Sequence, residues 1–322
     1  FNRVFGYFIE VTKVHQDKIP DTFIRKQTLV NSERYITDEL KKYEVKILSA
    51  EEKIFDIEKN IFNDLCNSII NNTNLIHDNA LVINYLDLVT SFAALARKNN
   101  YIKPSITRAA MLDIKKGRHP VIEQLIPSTE KFIPNNLFLD TKNKQIHLLT
   151  GPNMAGKSTY LRQTGLIVIL AQIGSFVPAE KANIGIVDRL FTRVGASDNL
   201  AAGESTFMVE MNEVANILNN ATNNSLILLD EVGRGTSTYD GLSLAWAITE
   251  HIHNNVDIKA RTIFATHYHE LTDLENSLKH LENYHVEVKE FNDTVIFLRS
   301  IAKGSGDQSY GIQVAKMAGV PN

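Results

Sequence analysis

Residues Gly151-Pro152-Asn153-Met154-Ala155-Gly156-Lys157-Ser158 fit the pattern G-x-x-x-x-G-K-[ST], and the apolar run Ile146 to Thr150 leads straight into them. No other feature restricts the chain as much, because such a loop works only where a strand ends and a helix begins. Its glycines let backbone N–H groups turn inward around phosphate oxygens. The following helix, read from Thr159 through the apolar stretch Leu161 to Leu170, adds the positive end of its dipole. Lys157 is then placed for the β and γ phosphates of a nucleotide and the Ser158 hydroxyl for Mg²⁺.

Two more apolar runs, Leu226 to Leu229 and Thr262 to Ala265, have the length and unbroken apolarity of strands buried on both faces of a parallel sheet. The first ends in Asp230-Glu231. Acids at the C-terminal end of a buried strand sit where open α/β sheets bind ligands. Asp230 is thus a candidate to hold Mg²⁺, and Glu231 to orient and deprotonate an attacking water. The second run ends in Thr266-His267, which directs His267 into the same crevice, toward the γ-phosphate or its water; His269 reads as structural. Between them, Ser205 is set as the N-cap of a helix with the stripe Phe207, Met211, Val214 and Leu218, and an open helix start can receive a phosphate. Phe291 to Ser300 pairs with His285 to Lys289 across an Asn292-Asp293 turn, predicting an edge hairpin.

The first third reads differently. No proline occurs between Pro20 and Pro104. Ser49 and Glu52 form a capping box ahead of Ile54, Ile57, Ile61, Leu65 and Ile69. A second stripe runs through Leu81, Tyr85, Leu88, Phe92 and Leu95, and the cluster Asn71 to Asn74 predicts a turn between two antiparallel helices whose stripes pack on a partner helix. Of 322 residues, 34 Lys and Arg face 37 Asp and Glu, a net charge of −3, and 43% are hydrophobic, which excludes collagen-like and fully disordered chains. A single cysteine, Cys66, allows no internal disulfide and fits a reducing compartment. The most apolar stretch, Leu166 to Val177, is broken by Gln172 and Gly174 and falls short of the roughly 20 residues of a membrane helix. No membrane partner is therefore expected, the location is read as cytoplasmic, and the chain, which begins at Phe1, reads as a piece of something longer.

The runs Thr150 to Gln163 (TGPNMAGKSTYLRQ), Ser205 to Met211 (STFMVEM), Leu229 to Leu244 (LDEVGRGTSTYDGLSL) and Phe264 to Leu271 (FATHYHEL) resemble the ATPase domain of the MutS family of DNA mismatch-repair proteins. Gly117 to Pro120 (GRHP), Ser309 to Ile312 and Ala318 to Pro321 resemble that domain's flanks. Phe1 to Glu44 resembles the family's DNA clamp running into its lever helices. The resemblance implies an ABC-type P-loop NTPase domain, α/β, with an all-helical N-terminal lever region: residues 1–30 a partial clamp segment, 31–115 the lever, and 116–322 the ATPase domain. It implies ATP and Mg²⁺ as cofactors, with Gly151 to Thr159 around the phosphates and Phe132 stacked on adenine. The family's paired ATPase domains would place Ser205 on the nucleotide of the opposite subunit of a homodimer. Arg299 stands where the family often has a His near the base, and an Arg can also stack there. Mismatched duplex DNA, bound by the full-length protein, and downstream repair proteins are the implied partners. Residues 1–46 hold nine Lys and Arg against seven Asp and Glu, so backbone contacts from Arg3, Arg25 and Lys26 would be few and placed rather than a basic block. The alternatives are a recombination-suppressing relative of the same family, a transporter-type ATPase engine, whose usual Leu-Ser-Gly-Gly-Gln run is absent, and a scaffold with a structural nucleotide.

Overall fold

The structure is a computed structural model that describes residues 1–127, 129–195, 205–291, 294–306 and 310. It divides into two compact units, Phe1–Leu86 and Asp87–Asn322.

The first unit opens with strands β1 (Ile9–Thr12), β2 (Ile24–Thr28) and β3 (Ser32–Ile36), which form an antiparallel sheet in the order β1-β3-β2. Arg34 fastens it by donating to Glu10 Oε2 at 2.9 Å and to Gln27 Oε1 at 3.0 Å, with its guanidinium 4.2 Å from the Phe8 ring centroid. The expected all-helical region over 31–115 is therefore corrected: Ser32–Ile36 lies inside it as the central strand of this sheet, its backbone groups taken up by β1 on one side and β2 on the other. Helices α1 (Asp38–Leu48), α2 (Ala50–Asn71) and α3 (Thr73–Asn99) follow, and the boundary between the units falls within α3.

Thr37 caps α1 by accepting the Leu40 N–H at 3.0 Å. Ser49 does not cap α2. Its own backbone is helical (φ −86°, ψ −7°), so its hydroxyl turns back to the Lys46 carbonyl instead. Nor does the chain double back at the Asn71–Asn74 cluster. Asn72 is a one-residue break near helical geometry, spanned by the bond from Ile76 N–H to the Asn72 carbonyl, so α2 and α3 run on rather than pairing. Both apolar stripes consequently lie open, with Ile61 63% and Tyr85 66% exposed. Helix α3 is also long and apolar enough to cross a membrane by length and composition alone, so the expectation that no stretch reaches membrane-helix length is corrected, while Leu166 to Val177 stays the more apolar but shorter run. Isolated polar residues such as Asn79 and Asn84 break its apolar run in the sequence, yet the average over the helix stays apolar enough for a span.

The second unit contains β4 (Ser105–Thr107), β5 (Met111–Gly117), the short α4 (Ile122–Leu125), β6 (Asn135–Asp140), β7 (Ile146–Thr150), α5 (Lys157–Gln172), β8 (Lys181–Gly185), β9 (Leu190–Arg193), α6 (Thr206–Asn220), β10 (Leu226–Asp230), α7 (Thr238–Asn254), β11 (Arg261–Ala265), a 3₁₀ segment (His269–Asn276), β12 (Leu281–Phe291) and β13 (Thr294–Lys303). The main sheet has the order β13-β12-β7-β11-β10-β9, and β4-β8-β5-β6 form a second sheet. Strands β7, β11 and β10 are parallel, as expected, and every residue in them is buried. Leu149, Leu226, Leu228 and Ile263 face a core shared with α5 and the second sheet, while Ile146, Leu148, Ile227, Leu229 and Phe264 face one shared with α6 and α7. Both faces being covered is why alternation disappears from these runs. The edge hairpin forms between β12 and β13, and its Asn292-Asp293 turn lies outside the described residues.

Arg261, the first residue of β11, is fully buried and braces two connections through three carbonyls: it donates to those of Gly185 and Ile186 at 3.3 and 3.1 Å, between β8 and β9, and to that of Asn224 at 2.5 Å, between α6 and β10. Burial lowers the guanidinium to about 10, still charged at neutral pH. Arg261→Met keeps an unbranched apolar stem and removes all three hydrogen bonds, so it should lower unfolding free energy by about 3 kcal/mol, read by urea denaturation.

Candidate nucleotide site

The register of three neighbouring strands builds the site. Leu149 of β7 lies opposite Ala265 of β11, which lies opposite Asp230 of β10. Beyond that line the chain leaves the sheet at Thr150-Gly151, at Thr266-His267 and at Glu231, and backbone bonds from Thr266 N–H to Leu149 O (3.0 Å) and from Glu231 N–H to Ala265 O (2.9 Å) hold the exits together.

The loop between β7 and α5 takes left-handed backbone at Met154 (φ 66°) and Gly156 (φ 109°), the conformation that turns its N–H groups inward. Lys157 is 4% exposed, and its ammonium donates to the carbonyls of Gly151 (2.6 Å) and Pro152 (3.1 Å). Burial lowers its pKa, and Glu231 and Asp230 push the other way. Lys157 Nζ stands 4.0 Å from Glu231 Oε1, and His267 Nδ1 stands 3.3 Å from that same oxygen. Arg234 holds Glu231 Oε2. The Glu231 carboxyl is brought down to about 2, first by the His267 side chain, then by Arg234 and Lys157, against the opposing effect of burial. Asp230 goes the other way: burial raises it, and the Ser158 hydroxyl offsets part of the rise. Asp230 Oδ1 is buried with no hydrogen-bond partner among the described residues.

Two pockets meet at this loop. One of about 470 Å³ is lined by Ser158, Arg162, Arg193, Thr206, Asp230, Glu231 and Arg234, and one of about 270 Å³ by Ile122, Ile126, Phe132, Ile133, Met154, Thr159 and Arg299. Phe132 and Arg299 thus share the apolar pocket. Arg299 has φ 57°, its carbonyl accepts from Asn135 Nδ2 at 3.0 Å, and its guanidinium lies 3.8 Å from Glu130. Ser205 caps α6 as expected, accepting the Met208 N–H at 3.2 Å, and is exposed. Gly203 and Glu204 before it lie outside the described residues, as do Ser309, Gly311, Ile312 and Ala318 to Pro321.

Several residues at the site were not singled out by the sequence. Arg162, Arg193 and Arg234 line the larger pocket, and Arg234 was legible, coming three residues after Glu231 in a glycine-bracketed turn. The Gly117 to Pro120 motif supports the smaller pocket: His119 Nδ1 accepts the Val121 and Ile122 N–H groups, and Arg118 ties Glu123 (2.6 Å) to the Asn99 carbonyl at the end of α3 (3.0 Å). In the first unit, Arg25 and Lys26 lie exposed on the edge strand β2, Lys26 at a bulge and Arg25 3.5 Å from Glu33, while Arg3 is exposed in the turn before β1.

A phosphate loop on one strand, with an acidic pair ending a parallel strand one position removed across the sheet, defines a P-loop nucleotide-binding domain. The family description MutS domain V, the ATPase domain, matches residues 147–322, and MutS family domain IV matches residues 1–53. The chain belongs to the MutS family. It is 58% identical over 322 residues to a DNA mismatch repair protein MutS of Salinibacter ruber, and 60% over 321 residues to one of Bacteroides thetaiotaomicron. The whole chain is covered in both comparisons, and it spans about a third of the relatives' length, 36% and 37%.

Lys157→Ala removes the one cation buried in the phosphate loop. Nucleotide affinity in a fluorescent-nucleotide titration should drop by about tenfold or more, and unchanged affinity would refute the phosphate-loop assignment.

Proposed function

We propose that this chain is the nucleotide-driven part of a DNA mismatch-repair protein, in which ATP binding and hydrolysis shift helical arms that hold DNA. The observation that carries it is the convergence of Lys157, Asp230, Glu231 and His267 on one crevice at the aligned strand ends, with Lys157 and His267 within 4.0 Å of the same Glu231 oxygen. ATP lies with its base in the smaller pocket, against Phe132 and beside Arg299, and its phosphates along Gly151 to Thr159.

The donor set suits Mg²⁺: a buried carboxylate oxygen without a partner, Asp230 Oδ1, beside the Ser158 hydroxyl, is what that ion takes from proteins when substrate phosphates and water complete its shell. Asp230 and Ser158 would hold that ion, which when bound would supply positive charge against the charge developing on the transferred phosphoryl group. Lys157 exchanges its loop carbonyls for β- and γ-phosphate oxygens. Glu231 is ionised at any working pH, and a carboxylate as acidic as about 2 orients a water by accepting its hydrogen bond better than it keeps the proton. His267 borders the water and the γ-phosphate.

Ser205, exposed at the open start of α6, reaches the nucleotide of a second subunit, so a complete site needs a homodimer. Residues 1–30 belong to a DNA clamp, with Arg3, Arg25 and Lys26 toward backbone phosphates, 31–115 to the lever and 116–322 to the ATPase domain. The implied partners are mismatched duplex DNA and downstream repair proteins. Coupling follows if ATP and ADP favour different arrangements of the arms.

Glu231→Ala should bind ATP with unimpaired affinity and lose turnover by about a hundredfold or more; ordinary turnover by that variant removes Glu231 from the mechanism. ATP hydrolysis per chain should also rise with protein concentration, measured with and without DNA, and a flat rate through the monomer–dimer range contradicts the shared site.

A further inference from the structure

The direction of the Glu231 carboxylate depends on a backbone turn that does not hold itself. Glu231 has φ 56° and Gly233 φ 91°, so the chain just past β10 is left-handed twice within three residues. For a glutamate this costs of order 1 kcal/mol or more and persists only where the surroundings impose it. Those surroundings converge on one residue, gripping the peptide group on each side of its Cα. The Gly233 N–H donates to Glu210 Oε1 from α6. The Gly233 carbonyl accepts from the Tyr268 hydroxyl at 3.0 Å, from the segment after β11. From α7, Gly241 leaves the space both need, since a Cβ there would stand 2.1 Å from the Gly233 carbonyl oxygen and 2.3 Å from the Tyr268 hydroxyl.

Glu210 is 3% exposed and its second oxygen lies 3.7 Å from Arg193 Nη2, so its charge is balanced inside the protein. A buried carboxylate and a half-buried hydroxyl exchange water for protein partners at small net gain in stability. What they supply here is direction. We propose that Glu210 and Tyr268 are positioning residues that clamp Gly233 at its N–H and at its C=O, fixing the peptide groups on both sides of its Cα, and so aim Glu231 at the attacking water. Glu210 belongs to the helix capped by Ser205, so the seat of that helix sets the aim of Glu231 in its own chain. The proposal rests on Glu231 orienting the water, as proposed above.

The test is single-turnover ATP hydrolysis with parallel nucleotide binding on Tyr268→Phe, Glu210→Leu and Glu210→Gln, each alone and combined with Glu231→Gln. Tyr268→Phe and Glu210→Leu should slow hydrolysis by about tenfold to a hundredfold, with ATP affinity held within about twofold. Glu210→Gln, whose amide oxygen still accepts the Gly233 N–H, should recover most of the rate. In the Glu231→Gln background the added substitutions should change nothing, because they act only through that carboxylate. Loss of affinity in step with rate, or a further slowing in the Glu231→Gln background, overturns the clamp. So does an inactive Glu231→Gln beside unaltered Tyr268→Phe and Glu210→Leu, whereas normal turnover by Glu231→Gln overturns the water-orienting assignment itself and the clamp with it.

Discussion

The site depends above all on strand register. Leu149, Ala265 and Asp230 are level across three parallel strands, and the Thr266 and Glu231 amides bond back to carbonyls on that line. Because the side-chain period of a strand is two, a slip of one residue in β10 would move Asp230 and Glu231 each to the other face and carry Ile227 and Leu229 into the wrong core. The two cores prevent this: Leu228 and Ile227 answer to different helices, so burial locks register and register places the acids.

Within that frame the two adjacent acids are driven apart by their surroundings. Asp230, buried and without a partner at Oδ1 among the described residues, is held less acidic than an ordinary aspartate, and Glu231, one residue on, is pulled down to about 2 by His267, Arg234 and Lys157. A poorly satisfied carboxylate oxygen costs stability. Here it sits beside the Ser158 hydroxyl, where a cation and a phosphate tail would repair it. The strain at Glu231 and the unpaired oxygen at Asp230 lie in the same few residues, while bracing such as that of Arg261 lies at the opposite ends of the strands.

Much of the second unit was legible in the amino-acid order because its local signals and its burial agree. The unbroken run Leu226 to Leu229 is apolar on both faces since helices cover both, and the glycines of the phosphate loop mark where the backbone must turn left-handed. The first unit misled where local signals had no tertiary partner to enforce them. Ser49 and Glu52 match a capping pattern, yet Ser49 stays helical, and the asparagine cluster at 71–74 is only a one-residue break. The stripes along α2 and α3 are periodic as expected and remain exposed, because periodicity reports that a face is apolar and not what lies against it.

The amino-acid order by itself determined the parts: a phosphate loop between a strand and a helix, an acidic pair and a histidine at the ends of two other buried strands, and a serine cap. Those are local properties, set by glycine dihedrals, apolar runs and side-chain chemistry within a few residues. Only the tertiary structure decided that Lys157 and His267 meet on one oxygen of Glu231, that Arg299 and Phe132 share a pocket, and that Glu210 and Tyr268 grip Gly233 from opposite sides. These pairs are separated by tens of residues or more in the chain and belong to different elements, so their distances follow from sheet order and helix packing, which no short stretch encodes.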